Sequence, residues 1–466
     1  MGSPVKPVPF AGKMQAASAV RRCPAVLIAA PASGQGKTTL GCALARLHAR
    51  QGRRVRVFKC GPDFLDPHWL ALASGHAVHQ LDLWMTGEAD CAQRLYDAAG
   101  DADLIIVEGV MGLFDGDPSA ADLAQRFGLP VLAVIDASAM AGTFGALAWG
   151  LQDFQPGLRF AGVLANRVAS PGHADMLQHS LRDPAQWQGA LMRDAALTLP
   201  ERHLGLVMAG ELDDALARLD RAADALEATP LGQMSPPDMQ AWAVEFSAPA
   251  ATAAPCLTQP LKGVTIAVAR DAAFCFIYAA NIDCLESLGA HLMYFSPLAD
   301  SSLPPCDALW LPGGYPELHA ADITANKPMQ ASIAAHVQAC KPVWAECGGM
   351  MTLFETLTIA DGAVHQMWSV LPGRVAMQKR LAALGPQQLT LDDGTLRGHT
   401  FHYSTCETPL KPKAFTQAAP GRKLRGFGEA LYKAGSVQAS YFHAWFASDP
   451  AATAALFLKD SNGRTN

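Results

Sequence analysis

Ala29-Ala30-Pro31-Ala32-Ser33-Gly34-Gln35-Gly36-Lys37-Thr38-Thr39-Leu40 decides the reading of this chain. An apolar run, Ala25-Val26-Leu27-Ile28, precedes it and predicts a short buried strand. Behind it, Leu40, Ala43, Leu44 and Leu47 recur at helical spacing up to Arg50. Strand, glycine loop and Lys-Thr at a helix start form a phosphate-binding loop. Backbone N–H groups must turn inward toward phosphate oxygens, and Gly34 and Gly36 allow that bend. The helix start adds partial positive charge. Lys37 reaches the terminal phosphates, the Thr38 hydroxyl suits Mg²⁺, and Thr39 joins Gly34, Gly36, Lys37 and Thr38 as a nucleotide-binding residue. Pro31 stands where the usual pattern has its first glycine, so the loop is a deviant form.

Working outward, 466 residues suggest two or three domains. Half the residues are hydrophobic and 17% are charged, which describes a globular chain. A net charge of −6 leaves no basic footprint for nucleic acid. The 11 cysteines include no CxxC pair, so neither a disulfide framework nor a structural zinc site is expected, and a cytoplasmic setting fits. Residues 1–24 lack a signal-peptide core and read as a disordered leader. The apolar segment Val131–Leu151 is interrupted by Asp136, Gly142 and Gly145, and reads as strand, loop and helix rather than a membrane span.

Downstream of the loop, Arg54–Lys59 predicts a second strand. It runs into Gly61-Pro62-Asp63-Phe64-Leu65-Asp66-Pro67, a loop whose two carboxylates suit Mg²⁺ or a polar substrate. Leu104–Val107 predicts a third strand with Glu108 at its tip, the usual place for a second magnesium contact in a phosphate-loop protein. Val131–Asp136 and Phe160–Arg167 add two more strands. Asn166-Arg167 suits a contact to the nucleotide base or a strand cap equally. Strands alternating with helices give a mostly parallel sheet with ligands at the C-terminal strand ends. Pro200–Val207 is expected to close this half. The expected division is an ATP-binding unit over 25–234, an Ala/Pro/Ser-rich linker over 235–260, and a second α/β unit over 261–460.

The second half carries Pro342-Val343-Trp344-Ala345-Glu346-Cys347-Gly348-Gly349-Met350. A short apolar strand, a Cys and two glycines predict a nucleophile elbow, with a helix N-terminus lowering the thiol pKa. Pro312-Gly313-Gly314 ends another apolar strand and exposes N–H groups for an oxyanion. His399, His402 and His443 are all candidate bases, because catalytic partners meet in space rather than in sequence.

Both halves together resemble the cobyrinic acid a,c-diamide synthase family, glutamine-dependent amidotransferases of corrin biosynthesis. The likeness runs from about Val26 to about Ala447. It rests on Gly61-Pro62-Asp63 with Asp66-Pro67, Glu108–Gly112 through Asp115-Gly116, Gly313–Ala320, and Glu346-Cys347-Gly348-Gly349. It implies an α/β fold of two domains, an N-terminal P-loop dethiobiotin-synthetase-like parallel sheet and a C-terminal class I glutamine amidotransferase-like domain. It implies Cys347 as glutaminase nucleophile and His443 as its base. Asp63, Asp66, Glu108 and Asp115 would serve metal, substrate carboxylate or acyl phosphate, with Thr38, Asp63 and Glu108 as the metal set. ATP, Mg²⁺, glutamine and a corrin polycarboxylate are the implied ligands; a homodimer is allowed, with no nucleic acid and no membrane. Class I enzymes commonly place a Glu two residues after the catalytic His; here that residue is Trp445. Cobyrinic acid is the expected substrate. The alternatives are hydrogenobyrinic acid and, from another class, a partitioning-type ATPase without amidotransferase activity.

Overall fold

Strands covered by helices on both faces need apolar side chains on both, and Val26, Leu27 and Ile28 supply them at the centre of the first sheet. The computed structural model describes residues 20–202, 205–249, 259–421 and 428–459. From edge to edge, the first sheet runs His79–Leu81, Val55–Cys60, Leu104–Glu108, Val20–Ala29, Val131–Asp136, Phe160–Val168, Trp187–Met192. All these neighbours are parallel. The strand order reverses beside Val20–Ala29, so the loop after it lies in the crevice where parallel sheets bind ligands. Helix Lys37–Arg50 follows that loop directly. Val131–Leu151 is indeed strand Val131–Asp136, a loop, and a helix starting at Thr143.

Two boundaries differ from expectation. The expected leader extends through residue 24, yet Val20–Pro24 form the start of the central strand. They pair antiparallel with Ala243–Ser247, inside the expected linker. Val244 and Phe246 are buried while Glu245 and Ser247 are exposed, a period of two that Ala/Pro-rich surroundings conceal. Nor does the first half close at Pro200–Val207, of which residues 203 and 204 lie outside the described set. Helix Ala215–Glu227 packs on Lys37–Arg50, with Arg46 Nε 2.6 Å from Asp220 Oδ1. The first unit therefore extends to Ser247. Residues 1–19 of the expected leader and 250–258 of the expected linker lie outside the described residues.

The second half builds a sheet in the order His291–Phe295, Thr265–Ala269, Ala308–Leu311, Val343–Glu346, Val437–Ser440, Ala430–Ala434, Ala414–Phe415. Its first five strands are parallel. A separate antiparallel sheet joins Ala383–Leu391, Gly394–His402 and His443–Trp445, and its register sets His399 opposite His443. The halves meet through several contacts. Arg397 donates to the Trp84 and Thr86 carbonyls at 2.8 and 3.2 Å, and His79 pairs with Asp283 at 2.8 Å. Among the described residues, no helix is long and apolar enough to cross a membrane.

Candidate active site

In the phosphate loop, Gly34 and Gly36 adopt φ of 76° and 98°, the left-handed region that favours glycine. A Cβ on Gly36 would also strike the Asn166 amide nitrogen, which donates to the Gln35 carbonyl at 2.9 Å. Asn166 thus braces the loop, and Arg167 pairs with Asp136 at 2.7 Å. Lys37 Nζ donates to the Met111 and Ala32 carbonyls at 2.6 and 3.1 Å. Burial, then the nearby Lys59, lowers its pKa.

Thr38 Oγ1 donates to Glu108 Oε1 at 2.7 Å. Lys59, quoted in the second strand but given no role by sequence reasoning, proves to be the hub. Its buried ammonium lies 2.6 Å from Asp66, 2.9 Å from Glu108 and 3.8 Å from Asp63. Burial alone would discharge it; Asp66 and Glu108 hold its pKa well above the ordinary lysine value. Against burial, Lys59 in turn holds Asp66 low. Burial raises Glu108, whose second oxygen is buried with no partner. Burial and then Asp66 push Asp63 up to about 7. One Asp63 oxygen accepts from the Leu65 and Asp66 N–H groups at 2.8 and 3.2 Å. Asp115 is not brought into this cluster. It is exposed, and its carboxylate accepts from the Gly112 N–H at 2.9 Å.

In the second half, Cys347 has φ 44° and ψ −108° between strand Val343–Glu346 and helix Gly348–Leu353. A non-glycine residue with positive φ in that position is a strained elbow. Its N–H donates to the Ser440 carbonyl at 2.8 Å. The expected lowering of its pKa is not what the structure produces. Burial, reinforced by Glu317, raises the thiol, and the backbone at Gly348 opposes this only in part. The six-residue helix and its backbone dipoles are outweighed by the loss of water around the sulfur.

The Gly-Gly pair is required by close approach. A Cβ on Gly313 would lie 2.5 Å from His443 Cε1, and one on Gly314 would lie 2.1 Å from the Ala273 carbonyl. A Cβ on Gly348 would lie 2.9 Å from Gly314 N, so the pair abuts the elbow.

The structure separates the three histidines. His402 has both nitrogens committed, to the Ser404 carbonyl and to Glu429 at 2.9 and 3.1 Å, and stacks on Tyr441. His399 Nδ1 lies 3.1 Å from the Tyr278 hydroxyl, and burial, then His443, drives its pKa well below the ordinary histidine value. His443 Nδ1 is buried without a hydrogen-bond partner. No hydrogen bond joins His443 to Cys347, whose sulfur contacts the Phe401 carbonyl at 4.0 Å.

One cavity of about 900 Å³ is lined from both halves, though not by Cys347, Gly313 or Gly314. Gly34, Gly36, Lys37, Thr38, Thr39 and the carboxylates Asp63, Asp66 and Glu108 line it from one half, and His399, Phe401 and His443 from the other. Phe64, given no role by sequence reasoning, crosses between them. It stacks on Phe276 and Tyr278 with ring centres at 4.9 and 4.2 Å. Its only signal in sequence was its place between Asp63 and Asp66.

Comparison with known proteins matches two families. Residues 26–207 fit the CobQ/CobB/MinD/ParA nucleotide binding domain, and residues 265–451 fit the CobB/CobQ-like glutamine amidotransferase domain. The chain is 57% identical to a hydrogenobyrinate a,c-diamide synthase of Stutzerimonas stutzeri, over 94% of this chain and 99% of that protein. It is also 57% identical to a protein of that name from Pseudomonas aeruginosa, over 93% and 97%. A cobyrinate a,c-diamide synthase of Herminiimonas arsenicoxydans is 50% identical over 93% and 96%.

Proposed function

The chain belongs to the family of cobyrinate and hydrogenobyrinate a,c-diamide synthases, and from that premise we propose that it amidates the a and c carboxylates of cobyrinic acid. It is a glutamine-dependent amide ligase with a nucleotide-binding half and an amidotransferase half. The partitioning-ATPase alternative is thereby set aside. The same reaction on hydrogenobyrinic acid is the second reading, favoured by the names of the two 57% identical relatives.

The observation that carries the reading is the shared cavity, lined by Lys37 and Glu108 at one end and His443 at the other. A carboxylate does not react with ammonia unaided. A substrate carboxylate oxygen attacks the γ-phosphorus of ATP, the bond to the β-phosphate oxygen breaks, and an acyl phosphate and ADP result. Lys37, released from its loop carbonyls, neutralises charge on the phosphates. The Thr38 hydroxyl and Glu108, whose second oxygen is buried without a hydrogen-bond partner, would hold Mg²⁺, with Asp63 held 3.8 Å from the Lys59 ammonium that also contacts Glu108. When bound, that ion supplies charge neutralisation at the phosphates.

In the other half, the Cys347 thiolate attacks the glutamine side-chain carbonyl, and the Gly313-Gly314 N–H groups receive the oxyanion. His443 takes the thiol proton and returns it to the departing ammonia. Water then hydrolyses the thioester to glutamate. Ammonia crosses the cavity, attacks the acyl carbon and displaces phosphate. An enclosed route matters because free ammonia at neutral pH is mostly unreactive ammonium. Ten free cysteines among the described residues support a reducing, cytoplasmic setting.

Mass spectrometry of the product tests this. The protein receives Mg-ATP and glutamine with cobyrinic or hydrogenobyrinic acid; a Cys347→Ser variant receives ammonia instead. Two amidations, lost with glutamine and restored by ammonia in the variant, are expected. ATP hydrolysis without amidation of either ring would overturn the reading.

A further inference from the structure

Trp445 occupies the position where class I amidotransferases commonly carry the carboxylate that orients the catalytic histidine. Its side chain is fully buried against Tyr278, and its own indole N–H has no partner. We infer that Glu346, the residue immediately before the nucleophile, is the positioning residue for His443. This inference rests on the glutaminase reading above.

Glu346 ends strand Val343–Glu346 and is 1% exposed. One of its oxygens is fully employed. Oε1 accepts from the Trp344 indole N–H at 2.7 Å and from the Ala444 backbone N–H at 3.3 Å. The other, Oε2, lies 3.8 Å from His443 Nδ1. That nitrogen is buried and has no hydrogen-bond partner. A buried carboxylate without compensation is costly, so neither group is placed there by indifference. The donors on Oε1 fix the carboxylate, and the free oxygen faces the one ring nitrogen that needs a partner.

The remaining neighbours of the imidazole cannot take this role. His399 stacks on it at 5.0 Å with 19° between planes, but its own Nδ1 is engaged by Tyr278. Phe64 and Phe276 offer only ring carbon, at 5.0 and 6.0 Å between centres. Among the described residues, Glu346 is the carboxylate within ion-pair distance of His443.

The chemistry follows from the tautomer. A small ring movement converts the ion-pair contact into an Nδ1–H donation to Oε2. The proton then resides on Nδ1, and Nε2 is left with its lone pair to accept the Cys347 thiol proton. The product is a thiolate and an imidazolium, and the Glu346 carboxylate faces the imidazolium. One turn of chain thereby supplies both the nucleophile and the group that aims its base.

Glu346→Gln tests the assignment, because its amide oxygen can keep both Oε1 contacts while its NH₂ group faces Nδ1. A donor there makes Nδ1 the acceptor and moves the proton to Nε2, the wrong tautomer for a base. Glutamine-dependent amidation should fall at least ~100-fold in kcat with little change in the KM for glutamine. Ammonia-dependent amidation should persist at a rate comparable to that of the unaltered enzyme. Glu346→Asp should recover part of the loss. The pH profile of glutamine-dependent turnover should change in Glu346→Gln, because the imidazolium loses the carboxylate that faces it. Retention of the glutamine-dependent rate and of the pH profile would overturn the inference. Equal loss of the glutamine- and ammonia-dependent reactions would also overturn it, as the mark of a purely structural role. Failure of the unaltered enzyme to amidate with ammonia would instead strike the amidation reading beneath it.

Discussion

The ring of Phe64, on the carboxylate loop of the nucleotide-binding half, lies 5.0 Å from the ring of His443 in the amidotransferase half. The two candidate centres are thus in side-chain contact, through a residue flanked by Asp63 and Asp66. Whatever moves the carboxylate loop moves a wall of the glutaminase site. Phe64→Ala should therefore uncouple the halves. The yield of amide per glutamine hydrolysed should drop, while glutamine hydrolysis without ATP should rise or hold. Parallel assay of glutamate and diamide reads this directly, and an unchanged ratio would contradict it.

Gly313 has no room for a methyl group, since the added carbon would lie 2.5 Å from His443 Cε1. Gly313→Ala should push the imidazole aside. Misplacement on the order of 1 Å costs roughly 100-fold in rate, so glutamine-dependent amidation should fall by about that factor. The ammonia-dependent reaction, which needs no His443, should be spared.

Lys59 compensates Glu108 and Asp66 in the interior. Removing one partner of a buried pair costs about 3–5 kcal/mol, because the other charge stays behind unpaired. Lys59→Met should lower the denaturation midpoint by a corresponding amount. Adding Glu108→Gln to that variant should recover part of the loss, which a double-mutant cycle in chemical denaturation would measure.

His399 is held neutral by burial beside His443. A base whose folded pKa is depressed binds fewer protons folded than unfolded once the pH falls below the unfolded value, about 6.5. Stability contributed by the neutral ring is full above that pH and is lost as pH falls through it, at about 1.4 kcal/mol per pH unit. Denaturation midpoints at pH 7.5, 6 and 5 should therefore decline less steeply in His399→Gln than in the unaltered protein. Parallel slopes would show that His399 is not the group responsible.

The sequence by itself determined what local chemistry and periodicity can carry. The loop ending in Gly36-Lys37-Thr38 was legible because phosphate binding needs glycines and a helix start in one short segment. Glu108 was legible from an apolar strand ending in a carboxylate, and the Cys347 elbow from the glycines behind it. The parallel α/β character of both halves followed from alternating strand and helix patterns. Partnerships across the chain were not legible, because they depend on sheet order and register rather than on neighbours in sequence. Lys59 became the centre of a carboxylate cluster only when its strand was laid beside Leu104–Glu108. Val20–Pro24 became sheet rather than leader only because Ala243–Ser247 closes against them. His443 was distinguished from His399 and His402 by which ring nitrogens found partners, and Glu346 by its approach to the one that did not. The raised thiol pKa of Cys347 is not legible in the sequence for the same reason. Proximity to a helix start is written in the sequence, whereas the desolvation that outweighs it exists only once the interior is packed.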